Sequence, residues 1–248
     1  MGEARDLNNR LQVVGWASSA TPDSVPFVWL PEPVGAFPAG LNALPSLAGG
    51  PSKAEAINDR GQIVGVHNWK REPRRGVIWT QGQVADANCR VPNRKLDGRY
   101  VLFCGDINQS GQIAAVTALR GQPTGEANGR KGVRLTPLRV GITAVVCDFP
   151  DTLVAGESLD FHAHAINNEE GAQAFDSAAL EISGPISHRI SLYSGGDVPV
   201  AGNAEQQAAV ALAVPETVPA GTYSIDTVLS EDGVELSRDG FDVVVVAN

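Results

Sequence analysis

The residues whose types could do chemistry are few and scattered. His162 and His164 lie two apart in a stretch where Leu159, Phe161, Ala163 and Ala165 alternate with Asp160, His162 and His164. A period of two is the pattern of a strand, so both imidazoles are expected on one face with Asp160 beside them. Zinc or nickel would accept such a set, which makes Asp160, His162 and His164 the candidate metal ligands. The competing reading is a solvated polar face, because the spacing fixes no third ligand. His188 joins only if its strand is adjacent. Asn- and Asp-bearing turns offer oxygens to calcium, but each holds at most one carboxylate and the EF-hand spacing is absent. No cofactor is therefore expected.

Two basic segments are candidate contacts for a partner. One holds Trp69, Lys70, Arg71, Arg74 and Arg75, and the other Arg90, Arg94, Lys95 and Arg99. They suit an anionic glycan or an acidic protein surface, with Trp69 placed to stack on a sugar face. The alternative is a pair of solvated loops. Cys89 and Cys104 sit in one loop-like segment and are the candidate disulfide, worth about 3 kcal/mol in a chain-entropy account. Cys147 ends the apolar stretch Ile142 to Cys147 and reads as a buried free thiol. Catalytic patterns are missing: there is no Gly-x-Ser-x-Gly, no His-Glu-x-x-His and no phosphate loop. Glu55, Asp59 and Asp106 are the carboxylates near the motifs below, and a secreted hydrolase would have to draw on them.

The elements that position these groups begin with an internal repeat. Leu7-Asn8-Asn9-Arg10-Leu11-Gln12-Val13-Val14-Gly15 matches Ile57-Asn58-Asp59-Arg60-Gly61-Gln62-Ile63-Val64-Gly65 and then Ile107-Asn108-Gln109-Ser110-Gly111-Gln112-Ile113-Ala114-Ala115. The copies start 50 residues apart. In each, an apolar strand ends at a turn where Asn or Asp binds nearby amides and Gly takes positive φ, and a β-branched strand returns. Trp29 and Trp79 both fall 22 residues after a copy begins, so both are expected in the core. The third copy has only Gly132-Val133-Arg134-Leu135, displaced and without tryptophan. One such sheet cannot bury both faces, so neighbours must stack.

These residues resemble the bacterial extracellular repeats named for a His-Ala-Phe triplet. The fullest copy runs from Leu44-Pro45-Ser46-Leu47-Ala48-Gly49-Gly50 through Ala54, Ala56-Ile57-Asn58 and Gly61 to Gly65 and Trp79. No copy carries the literal triplet. The resemblance covers about residues 4–137, implies a propeller-like array in a secreted or cell-surface protein, and brings no catalytic residues. Three copies are fewer than the four to eight blades of a closed propeller. An array completed by another chain, a trefoil-like barrel and an open array all remain.

After Pro137 the pattern changes to short alternating strands, expected near Val140–Cys147, Ser177–Ile182, His188–Tyr193, Gln206–Val214, Gly221–Leu229 and Gly240–Ala247. Val214-Pro215-Glu216-Thr217-Val218-Pro219-Ala220-Gly221-Thr222-Tyr223 is similar to the corner of bacterial immunoglobulin-like accessory domains, and Asn167 with Gly171 to their first hairpin connection. The chain is thus read as all-β: a propeller-like array of three ~50-residue β-repeats over residues 1–137 and an immunoglobulin-like β-sandwich over 138–248.

Charge follows the same division. Residues 1–137 hold 16 Lys and Arg against 11 Asp and Glu, and residues 138–248 hold 3 against 17. A net charge of −9 argues against a general nucleic-acid binder. No apolar run is long enough to span a bilayer as a helix. No secretory signal is visible, so an extracellular location rests on the resemblance. The expected function is a non-catalytic surface binding or assembly protein whose partner is a protein, a glycan or other copies of itself. The alternatives are a structural subunit of a larger surface assembly and a secreted hydrolase or its ancillary part.

Overall fold

The computed structural model describes residues 2–18, 24–47, 50–68, 74–120, 129–137, 141–202 and 204–247. Trp69, Lys70 and Arg71 lie outside them, as does the side chain of Arg94. The fold is all-β, with several antiparallel sheets, and divides into two compact units. The first comprises residues 1–88 and 99–137, and the second residues 89–98 and 138–248. The sequence boundary at Pro137 missed the excursion of residues 89–98 into the second unit.

The first unit contains three sheets of common design. Strands β1 (Gly2–Leu7), β2 (Val13–Ser18), β3 (Ser24–Leu30) and β4 (Gly40–Ala43) form the first, in that order. Strands β5 (Ser52–Ile57), β6 (Ile63–His67), β7 (Arg75–Thr80) and β8 (Gln83–Asp86) form the second. Strands β9 (Arg99–Ile107), β10 (Ile113–Leu119) and β11 (Lys131–Leu135) form the third. A bulge falls at the same place in each, skipping Arg5, Glu55 and Gly105. Bulges bend a strand and sharpen its twist. At Gly65 the bulged strand comes so close that a Cβ would lie 2.0 Å from the Lys53 carbonyl oxygen, and at Gly15 2.1 Å from that of Glu3. Only glycine fits there.

Between the first two strands of each sheet the turn repeats as well. The Asn58 side-chain oxygen accepts the Arg60 and Gln62 amides, and its Nδ2 donates to Gln62 Oε1 at 2.8 Å. Asn8 and Asn108 bond identically to residues two and four onward. Gly61 and Gly111 take φ of 76° and 78°. Leu11 holds the same left-handed place at φ 57°, which costs an L-residue about 1–2 kcal/mol.

The second unit is a β-sandwich. Strands β12 (Ile142–Cys147), β14 (Ser158–Asn167) and β17 (Glu205–Ala213) form one sheet. Strands β13 (Thr152–Val154), β19 (Val234–Val246), β18 (Gly221–Glu231), β15 (Gln173–Ser183) and β16 (His188–Val200) form the other. Leu159 and Phe161 from one sheet meet Leu180, Tyr223, Ile225, Phe241 and Val243 from the other in a shared core. Phe241 stacks on Phe149 and meets Phe161 edge-on. The corner expected at Tyr223 closes through its hydroxyl, which donates to the Pro219 carbonyl at 3.0 Å. Asn167 Nδ2 donates to Gly171 O at 2.8 Å, fixing the hairpin it begins.

Candidate functional site

Two arrangements gather chemistry, one in each unit. In the first unit it is the way one sheet covers the next. Direct cross-strand partners share a face of a sheet, so register defines rows of side chains. The front row of the second sheet is Ile57–Ile63–Trp79–Val84. Its counterpart in the third is Ile107–Ile113–Leu135, so Leu135 takes the tryptophan's place. In the first sheet the row is Leu7–Val13–Trp29–Leu41.

The front row of the second sheet packs on the back of the first. Ile57, Ile63 and Trp79 share one cluster with Val14, Val28, Leu30 and Leu44, and the indole of Trp79 donates to the Pro45 carbonyl at 2.6 Å. The back of the second sheet is covered in turn: a Cβ on Gly76 would meet Val101 Cγ1 at 2.7 Å and Cys104 Sγ at 2.8 Å. Polar rungs run alongside. Asn8 Nδ2 donates to Asn58 O at 2.9 Å, and Asn58 Nδ2 donates to Asn108 O at 3.1 Å. The amide and side chain of Asn9 donate to the Asp59 carboxylate, and the Asp59 amide donates to Gln109 Oε1 at 2.9 Å. Those Asn9 bonds hold the Asp59 carboxyl below its ordinary range.

The two end faces are uncovered among the described residues. Trp79 is 1% exposed but Trp29 is 41% exposed, and Ile57 is 4% exposed against 56% for Leu7. The expectation that both tryptophans are core therefore holds for Trp79 and fails for Trp29. Trp79 has a sheet in front of it, and nothing described stands before Trp29. Leu41, beside Trp29 in the row, is 67% exposed. On the back of the third sheet, Ala114 and Arg134 are exposed where Val14 and Val28 are buried in the first. A Cβ on Gly132, the counterpart of Gly76, would meet nothing within 4 Å. This back face is a groove of about 610 Å³ lined by Phe103, Asp106, Ala114, Val116, Gly132 and Arg134.

The second arrangement corrects the cysteine reading. Cys89 pairs with Cys147, not with Cys104, and Cys147 is not a free thiol. Cys104 is the free, buried one, and burial pushes its thiol well above the ordinary range, which makes it inert. The sequence placed Cys89 and Cys104 in one loop, but Cys104 lies in β9 and belongs to the first unit, while Cys89 turns into the second. Within the second unit the excursion is anchored by polar contacts too. Asn93 donates to the Val146 carbonyl, and Arg90 binds both oxygens of Glu205.

His164 is buried against this disulfide, its Nε2 3.3 Å from Cys147 Sγ. Its Nδ1 lies 3.6 Å from Glu205 Oε2. Burial would raise the Glu205 carboxyl, but His164 and the Arg90 charge together hold it below its ordinary range. Cys89, Cys147 and His164 offer donor atoms within 4.8 Å of one another, and a thiophilic metal would need both sulfurs as thiolates. In the disulfide state those thiolates are tied up in the S–S bond.

The predicted trio of Asp160, His162 and His164 does not converge. Asp160 is exposed and accepts from the Ser158 hydroxyl, while His162 sits 3.4 Å from the Asp148 carboxylate. His188 lies on β16, in the opposite sheet. The strand reading placed these residues on one face correctly, but a shared face is not a shared point.

The basic segments are also partly used inside the fold. Arg75 pairs with Asp86 at 2.8 Å, and buried Arg99 donates to Thr117. Arg74 is half-buried, and Lys95 is exposed on a single helical turn, α1 (Asn93–Leu96). Of the three motif carboxylates, Glu55 pairs with Arg5 at 2.6 Å, Asp59 holds Asn9, and Asp106 accepts the Ile107 amide. Sequence reasoning missed the exposed row of the first sheet. Its signal was present, because Leu7 and Trp29 match Ile57 and Trp79 position by position, but cover cannot be read from the chain.

No protein-family model and no curated protein matches the chain. Solved structures similar to part of it include the sporulation control protein Spo0M from Bacillus subtilis, at 17% identity and a TM-score of 0.35, covering 44% of this chain and 50% of that one. A CARDB domain from Pyrococcus furiosus matches at 16% identity and a TM-score of 0.33, over 44% of this chain and 96% of the domain. A β-glucosidase from Listeria innocua matches at 15% identity and a TM-score of 0.33, over 50% of this chain and 19% of the enzyme. The chain thus spans half the length of the first of these proteins and a fifth or less of the enzyme's, and the likenesses are distant.

Proposed function

We propose that the chain is a non-catalytic binding or assembly protein of the cell surface or extracellular space. The three sheets act as blades of an open, propeller-like array of His-Ala-Phe type, and the immunoglobulin-like sandwich serves as spacer or docking unit. One observation carries this reading: the apolar row Leu7–Val13–Trp29–Leu41 is open where its counterpart in the next sheet is buried. Large exposed apolar patches are costly in water and mark interaction surfaces. A tryptophan at the centre of such a patch has the character of a binding hot spot. The Cys89–Cys147 disulfide supports an oxidising compartment.

The test is capture from the secreted and cell-surface fractions of the producing organism, with wild type and Trp29→Asp immobilised side by side, together with sedimentation of each. Loss of captured protein or of self-association in Trp29→Asp supports the reading. Identical capture and identical sedimentation for both proteins overturn it.

A further inference from the structure

We infer that the partner of the open front face is the open back face of a second copy of this chain, docked head to tail. The inference rests on the binding role above and names its occupant. The two faces are the halves of an interface the chain already builds twice within its first unit. Front rows meet back rows where the second sheet covers the first, and again where the third covers the second. Among the described residues, one front face and one back face of the same design are left over.

Their contents match position by position. In the covered pairs Trp79 clusters with Val14 and Val28; in the proposed pair Trp29 faces Ala114 and Arg134. The smaller Ala114 widens the groove for the indole, and a guanidinium is a favourable neighbour for an indole ring. Gly76 admits Cys104 and Val101. Gly132, with open space before it, stands ready to admit Ala4, the counterpart of Cys104.

The polar rungs end in complementary groups as well. Asn8 and Asn58 each give Nδ2 to the carbonyl 50 residues on, and Asn108 is exposed with Nδ2 bonded, among the described residues, to Gln112 Oε1. The carbonyls of Asn58 and Asn108 each accept both a turn amide and such a rung, whereas that of Asn8 accepts the turn amide of Leu11. Asn108 Nδ2 of one copy donating to Asn8 O of the next continues the series. A contact that joins two different faces of one molecule leaves a free face at each end, so it propagates into a ring or a filament.

The test uses two surface variants of the full chain. Trp29→Asp places a carboxylate on the front face, and Gly132→Glu fills open space on the back face. Both are checked for folding by circular dichroism and melting temperature. By sedimentation across a concentration series, wild type is expected to grow beyond a dimer. Each variant alone is expected to stay monomeric, its dissociation constant raised by about 30-fold or more. An equimolar mixture retains one intact front and one intact back, and is expected to form a 1:1 dimer and nothing larger.

Self-association of Gly132→Glu at the wild-type level overturns the inference, because it means that front faces pair with front faces. A wild type that stays monomeric also overturns it. In that case, capture of a foreign protein that depends on Trp29 leaves the binding role standing, and its absence removes both.

Discussion

The sandwich and the sheet array solve the same problem in opposite ways. In the sandwich, two sheets turn one face each toward a shared core, and every large side chain of that core finds its cover within the same unit. In the array each sheet is covered by the next, so burial passes along a line and stops at its ends. A closed solution fixes the fate of each residue by which face it occupies. An open one makes the fate depend on rank, and residues of the same type at the same register have opposite surroundings. This is the general property of stacked architectures, whose stability is a sum over neighbours.

The sharpest way to break this comparison is to truncate the same residue at two ranks. Trp79→Ala empties a fully buried site and removes an indole bond to Pro45, and is expected to cost about 4 kcal/mol. Trp29→Ala, at the identical register position, is expected to cost about 1 kcal/mol or less, since much of the ring is already in water. Urea unfolding of both variants at low protein concentration measures the difference. Equal losses would mean that rank does not govern burial in the array.

The closed unit has its own device, and removing it sharpens the contrast. The Cys89–Cys147 bond spans 58 residues, for which the chain-entropy account gives about 4 kcal/mol. Cys147→Ala is expected to lower the melting of the sandwich and to leave the transition of the array in place, so calorimetry would resolve two steps. The pairing itself is checked by counting thiols in denaturant. Wild type gives one per chain and Cys104→Ala gives none. Two free thiols in Cys104→Ala would restore the other pairing.

Between sheets, the asparagine series offers a smaller version of the tryptophan test. Asn58 is fully buried and joins its own turn to that of the third sheet, so Asn58→Ala leaves the Arg60 and Gln62 amides without their acceptor and removes one of the two bonds to the Asn108 carbonyl, at about 2 kcal/mol or more. Asn108 is exposed and water replaces what it loses, so Asn108→Ala is expected to cost about 1 kcal/mol at most. Thermal melts of the two variants separate a buried rung from an end rung.

Much of this was legible in the chain because local physics wrote it there. The turn at Asn58 to Gly61, the alternation through Leu159 to Ala165 and the corner at Tyr223 each follow from residue types at short range. What escaped is what depends on distance. Cys89 and Cys104 are near neighbours in sequence, and nothing local says that the chain carries Cys89 into the other unit before Cys104 returns. Arg75 and Arg99 read as free basic residues because their partners, Asp86 and Thr117, are assigned by strand pairing rather than by spacing. Trp29 read as core because its twin is core, and only the stacking order tells the two apart.

The smallest expected effect separates the units by pH. His67 is buried in the second sheet, 3.0 Å from the Ser52 hydroxyl, and its counterparts 50 residues either way are Ala17 and Thr117. Burial, aided by the Arg75 charge, lowers its pKa below the ordinary 6.5, so the fold favours the neutral ring. The unfolded chain takes up a proton at the ordinary value. The contribution of His67 is therefore full above pH 6.5 and is lost as the pH falls from there toward the folded value. In the sandwich the lowered carboxyls include Glu205 and Glu235, whose contributions are present above their ordinary 4.5 and are lost only as the pH falls below that. Between pH 7 and pH 5 the array should thus soften while the sandwich holds. His67→Gln should flatten the melting of the array across that range and leave the sandwich unchanged. A wild-type array whose melting temperature does not move between those values would show that the His67 site does not discriminate between the two forms of the ring.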